Sequence, residues 1–318
     1  MQKTDIVPFD SFWLNCDFNA NFSIITSIES SYYDLALLNC YSYVQCHIET
    51  PNGTGVSYLM LQNSDTQFTL MEDCVKRIPI KVRGSVDMVD NLSHLLKNHT
   101  LLIGVDLYHW IPRSLCWQKH HWEHYSIVQS YDEARKVFTV LDENLQGYGV
   151  HEIPAERFVE AVESSPLEED GYIICFRGEL EKYTLYQEEV KVNAERLKND
   201  LSSFVGEEVF FWKLSEKDIR EGHMLDLFSM YVHQISNRQI GNVKLMNRLH
   251  ELNAISSEEH ISMVELFMKL KNGWEMVKSH FIFSERSRTR GLDIARINEL
   301  KKQLIQDEIN AWDNFQKH

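Results

Sequence analysis

Two residues at opposite ends of neighbouring β-rich runs have the types needed to move a proton. His124 precedes the run Tyr125–Tyr131 (YSIVQSY), and Asp142 follows the run Lys136–Leu141 (KVFTVL). Residues 132–135 (DEAR) form a short charged turn, so the two runs are read as an antiparallel hairpin. Antiparallel pairing sets the start of the first strand beside the end of the second, which brings imidazole and carboxylate together. An imidazole acting as a base must be held in one tautomer. A carboxylate that accepts its other N–H does this and stabilises the imidazolium. Asp132 and Glu143 compete for this role, but Asp132 lies in the turn, where Asp favours its own backbone. Asp142 lies where the second strand should end.

The nucleophile that such a pair would activate is Cys16. It stands in LNCDFNANFSII, where Phe18, Phe22, Ile25 and Ile28 read as a helix starting at the cysteine. A thiol at a helix N-terminus is expected to have a lowered pKa, because the macrodipole and free N–H groups favour the thiolate. The same N–H groups can bind an oxyanion. The other cysteines, Cys40, Cys46, Cys74, Cys116 and Cys175, lack this context, and no CxxC pair occurs. The scatter reads as free thiols in a reducing compartment, without a disulfide framework or a zinc site.

Three further groups have competing readings. His120, His121 and His124 form HHWEH, and imidazoles four apart on a helix can share a zinc. The flanking sequence reads as a loop entering a strand, where that spacing does not converge, so no metal is expected. Residues 106–112 (DLYHWIP) end a strand, and Tyr108, His109 and Trp110 there are candidates to line an acyl pocket, with aromatic core packing as the competing reading. Arg286, Arg288 and Arg290 form the dense positive patch of an acidic chain, suited to a phosphate or an acidic protein, or else to a solvated loop.

The elements that would position these residues fall into two parts. Residues 1–180 alternate β-rich runs with short helical patterns. Thr100–Leu107 and Tyr172–Phe176 join the hairpin as strands, and Pro154 opens a short helix through Val162. Residues 181–318 read as a helical domain, with helices expected at 187–204, 216–234, 243–252, 257–283 and 293–315. Ser215 with Asp218 and Ser256 with Glu259 resemble capping boxes. Ile261, Val264, Leu266, Phe267, Leu270, Trp274, Val277 and Phe281 recur at helical spacing facing a core. A FFW run near Phe210 is the one strand-like stretch of this part. The expected fold class is therefore α+β followed by an α-helical C-terminal domain, with a short charged linker at 178–183.

Composition limits the function classes. The 318 residues carry 32 Lys plus Arg against 47 Asp plus Glu, a formal charge of -15, which disfavours general nucleic-acid binding. With 43% hydrophobic residues a folded chain is expected. The start of the sequence lacks the parts of a secretory signal, and no stretch approaches the roughly 20 apolar residues of a membrane span, so a cytoplasmic protein without membrane partners is expected.

A cysteine at a helix start, a distant His-Tyr strand and an Asp on the next strand together resemble the papain-like fold of double-glycine leader peptidases. The more specific likeness is to the butirosin biosynthesis protein H N-terminal-like family. It shares a short extension before the cysteine helix, the HY strand, the YD turn, the following Asp and a helical region behind. The resemblance covers about the first 180 residues and implies a papain-like cysteine peptidase or acyltransferase fold, with Cys16 as nucleophile, His124 as general base and acid, and Asp142 orienting His124. It further implies cysteine-dependent acyl transfer from an acyl or peptidyl carrier protein, bearing phosphopantetheine, to an amine in peptide or aminoglycoside antibiotic biosynthesis. No cofactor is implied, and the helical part would cap the cleft or dock the donor. Papain-like enzymes usually carry a Gln shortly before the cysteine, and residues 8–15 (PFDSFWLN) contain none. Asn15 and Asn19 are the expected substitutes. The alternatives are a peptidase or thioester hydrolase, or a non-catalytic binding protein of the same fold.

Overall fold

The structure, a computed structural model, describes residues 5–38, 41–49, 55–63, 66–144, 147–178, 180–205, 224–286 and 293–316. In chain order the elements are α1 (Cys16–Ile28), α2 (Tyr32–Leu37), β1 (Tyr41–Glu49), β2 (Gly55–Asn63), α3 (Thr66–Cys74), β3 (Val75–Ile80), α4 (Met88–Leu96), β4 (Thr100–Asp106), β5 (Glu123–Asp132) and β6 (Val137–Asn144). They continue with β7 (Gly147–Pro154), α5 (Ala155–Glu163), β8 (Gly171–Phe176), α6 (Gln187–Phe204), α7 (Met224–Glu251), α8 (Ser257–Arg286) and α9 (Ile294–Gln316). The chain divides into two compact units. One is Met1–Tyr33 with Asp65–Lys182, the other Asp34–Ser64 with Tyr183–His318. The change expected near residue 180 is thus one crossing among three, because residues 34–64 belong with the later helices.

The first unit holds a six-stranded sheet in the order β3-β8-β4-β5-β6-β7, with every neighbouring pair antiparallel. β4 lies inside the sheet and is apolar on both faces (TLLIGVD), as burial on both sides requires. Leu101, Ile103, Val105, Val128, Phe138 and Val140 pack with Leu92 and Leu96 of α4 and with Phe158 and Val162 of α5. The Phe138 and Phe158 rings stack with centroids 3.9 Å apart. Pro154 serves as the N-cap of α5, one place before the position expected from sequence.

The β5–β6 hairpin turns as its sequence requires. Asp132 Oδ1 accepts the N–H groups of Ala134 and Arg135, each at 3.0 Å, and Lys136 takes a positive φ of 53°. The strands pair Asp132 with Val137, Tyr131 with Phe138 and Ser130 with Thr139. The register then slips by one, so Val128 faces Val140 and Ile127 faces Leu141. Gln129 is the extra residue of this β-bulge.

The second unit combines the β1–β2 hairpin with α6, α7, α8 and α9. The stretches expected as separate helices at 216–234 and 243–252 are one helix across the described part, α7, which runs through Gly241 without a break. Its middle is held by buried polar groups. Arg238 donates to the carbonyls of Ala36 (3.3 Å) and Leu37 (2.6 Å) and lies over the Tyr41 ring, while Asn242 and Gln239 bond each other at 3.0 Å. Ser256 Oγ caps α8 through Glu259 N at 3.2 Å, and Phe267, Leu270, Trp274, Val277 and Phe281 are buried, although Ile261 faces solvent. Ser215, Asp218, the run at Phe210, and Arg288 and Arg290 lie outside the described residues, as do the contacts of the Arg286 side chain.

Glu308 on α9 is fully buried, accepts from Tyr43 Oη at 2.8 Å and from Gln239 Nε2 at 2.9 Å, and burial pushes its carboxyl from 4.5 to about 7. A carboxyl raised in the folded state contributes stability that is fully present below its unfolded value and is lost as pH rises through the folded one. Glu308→Gln cannot ionise. It is therefore expected to lose less stability than the parent between pH 4.5 and about 7, by on the order of 3 kcal/mol, in urea titrations followed by tryptophan fluorescence. Equal pH slopes in the two proteins would contradict the burial argument.

Candidate active site

α1 begins at Cys16 because Asn15 caps it: Asn15 Oδ1 accepts from Phe18 N at 2.8 Å, and Asn15 O accepts from Asn19 N at 3.0 Å. The approach to the helix is fixed by its own buried face. Phe9 packs edge-on against Phe12 and Phe18, and Phe9 N donates to Ser23 Oγ at 2.8 Å. Asn19, fully buried, gives both side-chain N–H bonds to the carbonyls of Phe9 and Phe12 at 2.9 Å, and its Oδ1 accepts from Leu14 N at 3.1 Å. Those amide donors are committed to folding residues 9–14. Asn19 is therefore a structural residue and not the oxyanion donor expected in place of the absent Gln.

The slip at Gln129 decides where His124 points. Continuing the shifted register by one residue sets Ser126 opposite Asp142, and directly opposed residues share a face. His124 lies two residues before Ser126 and so projects on that same face. Its Nε2 lies 2.9 Å from Asp142 Oδ1 and 3.0 Å from Oδ2, and both side chains are buried. The Cys16 thiol lies beside the His124 imidazole, close enough for each to shift the other's proton affinity. With Nε2 engaged by Asp142, Nδ1 is the ring nitrogen left for a proton from elsewhere. The structure thus brings together Cys16, His124 and Asp142 from α1, β5 and β6, the three residues singled out for chemistry.

Asp142 is 1% exposed and its charge is distributed over several donors. Besides His124 it accepts from Trp110 Nε1 at 2.7 Å and from the backbone N of Glu143 at 2.7 Å. Burial works against the carboxylate, but His124 and these bonds outweigh it and hold the acid below its ordinary value. Burial likewise disfavours the His124 cation. The Asp142 charge and the Cys16 sulfur prevail, raising the imidazole well above its usual range. The half-buried Cys16 thiol is pushed up by burial while His124 pulls it down. This reverses the lowered thiol expected from the helix start alone, because burial disfavours the thiolate and Glu143 and Asp17 add negative charge beside the sulfur.

Sequence reasoning missed several supporting groups. Trp110, expected to line a pocket, is fully buried and serves as a donor to Asp142 from within the core against Phe158. A buried indole N–H needs an acceptor, which is the signal that pointed to this role. Glu143 accepts from Trp13 Nε1 and is pushed up to about 7 by burial and by the Asp142 charge. Tyr108 stacks on His121 with centroids 4.4 Å apart and contributes to a different cluster. His120, His121 and His124 do not converge on one point: His124 joins Asp142, while His121 Nδ1 pairs with Asp106 Oδ2 at 2.6 Å. Among the described residues, Asp106, His109 and His121 form the group with metal-ligand geometry.

Trp110→Phe keeps the apolar ring and removes the indole donor. It is expected to cost about 1–3 kcal/mol in chemical denaturation, the penalty for a buried acceptor left short of a partner. A second expectation concerns the thiol. His124→Ala removes the group that lowers the Cys16 pKa, so alkylation of Cys16 by iodoacetamide at neutral pH should slow and its rise with pH should move to higher values. Unchanged kinetics in that variant would mean that the imidazole does not act on the sulfur. Comparison of the chain with protein-family models and with curated proteins finds no significant match.

Proposed function

We propose that the first unit catalyses cysteine-dependent acyl transfer through an acyl-Cys16 intermediate, and that its architecture is the papain-like one of a cysteine-bearing helix set against an antiparallel sheet bearing His and Asp. The observation that carries this reading is the buried His124, bonded to Asp142 and set beside the Cys16 thiol. A half-buried thiol beside a buried imidazole and carboxylate forms a nucleophile, base and orienter relay, which a binding protein has no physical reason to maintain.

The raised basicity of His124 suits it to take the Cys16 proton. The sulfur then attacks the carbonyl carbon of a thioester, and the negative charge moves to the carbonyl oxygen. The N–H groups of Cys16 and Asp17, the first of α1, have no intrahelical acceptor and are the donors that stabilise this oxyanion. Collapse breaks the carbon–sulfur bond to the leaving thiol, which receives the proton from His124. An amine then attacks the acyl-Cys16 carbonyl, His124 takes the amine proton, and the returning Cys16 sulfur is reprotonated. With water as acceptor the same steps give hydrolysis. The donor of this reading is a carrier-protein thioester, and the acceptor belongs to specialised metabolism. No described helix is long and apolar enough to cross a membrane, in keeping with substrates delivered from solution.

Incubation of the full chain with a synthetic acyl thioester, followed by intact-mass analysis, tests this. The parent should gain one acyl mass, Cys16→Ala should gain none, and His124→Ala should acylate roughly 10²-fold to 10⁴-fold more slowly. An acyl adduct persisting in Cys16→Ala, or no adduct on the parent, would refute the assignment.

A further inference from the structure

A second group of chemistry-bearing side chains lies in the same unit, made of residues other than Cys16, His124 and Asp142. Asp106, at the end of β4, and His109 and His121, in the loop joining β4 to β5, present ligand atoms that all lie within 4.8 Å of one another. Two imidazoles and a carboxylate converging from separate turns of chain are the donor set of a divalent transition metal.

Each ligand is held by its surroundings. Asp106 is 1% exposed, and its Oδ1 accepts from Tyr108 N at 3.0 Å and Trp122 N at 3.2 Å, which orients Oδ2 toward His121. His109 Nδ1 lies 3.2 Å from Glu160 Oε1 on α5, the carboxylate pairing that fixes a ring for ligation through its other nitrogen. His121 is two-thirds exposed, yet the Tyr108 ring stacks on it at an interplanar angle of 11° and limits its rotation. The base of the loop is closed by Leu107 N donating to Trp122 O at 2.9 Å and by the Asp106–Glu123 pair of the β4–β5 ladder. A surface ion pair requires none of this. A buried carboxylate steadied by two backbone donors, one imidazole backed by its own carboxylate and a second imidazole clamped by a stacked ring together describe a preorganised site.

We infer that Asp106, His109 and His121 bind a divalent transition-metal ion, zinc fitting the donor set best, with a coordination position left open on the exposed His121 side. Three protein ligands leave tetrahedral zinc one position for water or another ligand. Hard cations such as magnesium prefer oxygen donors and are not expected there.

Isothermal titration of the full chain with zinc chloride should give one site per chain. His121→Ala, altering an exposed side chain, and His109→Ala should each weaken it at least about 100-fold. His120→Ala, next to a ligand but outside the cluster, and Cys16→Ala should retain it, so this inference and the acyl-transfer reading fail separately. Cobalt(II) substitution should produce ligand-field bands without a thiolate charge-transfer band, and magnesium should not compete. No zinc binding by the parent, affinity unchanged from the parent in either histidine variant, or a thiolate band on cobalt would overturn the assignment.

Discussion

A carboxylate removed from water must be surrounded by donors, and Asp142 is the place where the first unit meets that demand. An isolated buried charge costs several kcal/mol even after relaxation, so its position is tolerable only where the fold supplies partners. Two arrive from other parts of the chain, the His124 ring and the Trp110 indole, and a third is the adjacent Glu143 backbone. Each constrains the element that carries it. The indole holds the chain just after β4 against the end of β6, and the imidazole fixes β5 in one register. A slip of one residue would turn every side chain of β5 to the other face. The bulge at Gln129 sets that register, since an unbulged hairpin closed by the same turn would put Tyr125, and not His124, on the face of Asp142.

The electrostatics around the sulfur follow from this arrangement. Asp142 and Glu143 are adjacent acids close to the same imidazole, and both cannot ionise cheaply in a buried setting. His124, Trp110 and the Glu143 N–H favour the charge on Asp142, while Glu143 moves up to about 7. Near neutral pH the second carboxyl therefore changes charge beside Cys16, and its ionised form disfavours the thiolate. The helix start acts in the opposite sense. The thiol is thus governed by its neighbours more than by the dipole of the helix on which it sits.

The legible part of the molecule was what local pattern controls. The cap and apolar spacing of α1, the strands at β4, β5, β6 and β8, the Asx-type turn at Asp132 and the long helices α6, α8 and α9 each follow from a few residues in sequence. The convergence of Cys16, His124 and Asp142 was legible too, from a helix start and two strand ends. Strands β1 and β2 were missed, for they pair with each other as a separate hairpin and pack on helices far along the chain. β3 was missed because its exposed positions (VKRIPI) carry little apolar signal. The two helices expected at 216–234 and 243–252 are joined in α7, whose middle is held by the buried Arg238 and Asn242. Asn19 and Trp110 were assigned to substrate because their hydrogen-bond partners lie at distances that sequence does not encode.

The chain between β4 and β5 links the two clusters of the first unit. Asp106 and His109 face His121, while the next residue, Trp110, reaches Asp142. The hydrogen bonds of Leu107 with Trp122 and of Tyr108 with Gln118 tie the segment across itself, so displacement of His109 is transmitted to the indole over one peptide unit. The indole is fully buried against Phe158 and can move little without opening the core. A ligand that fixes Asp106 and His109 would therefore stiffen the support of Asp142 without touching the thiol. The same geometry explains why a loop of polar and aromatic residues follows the most apolar strand of the sheet. It supplies from one short stretch the donor that a buried carboxylate requires and the side chains that a cation would recognise.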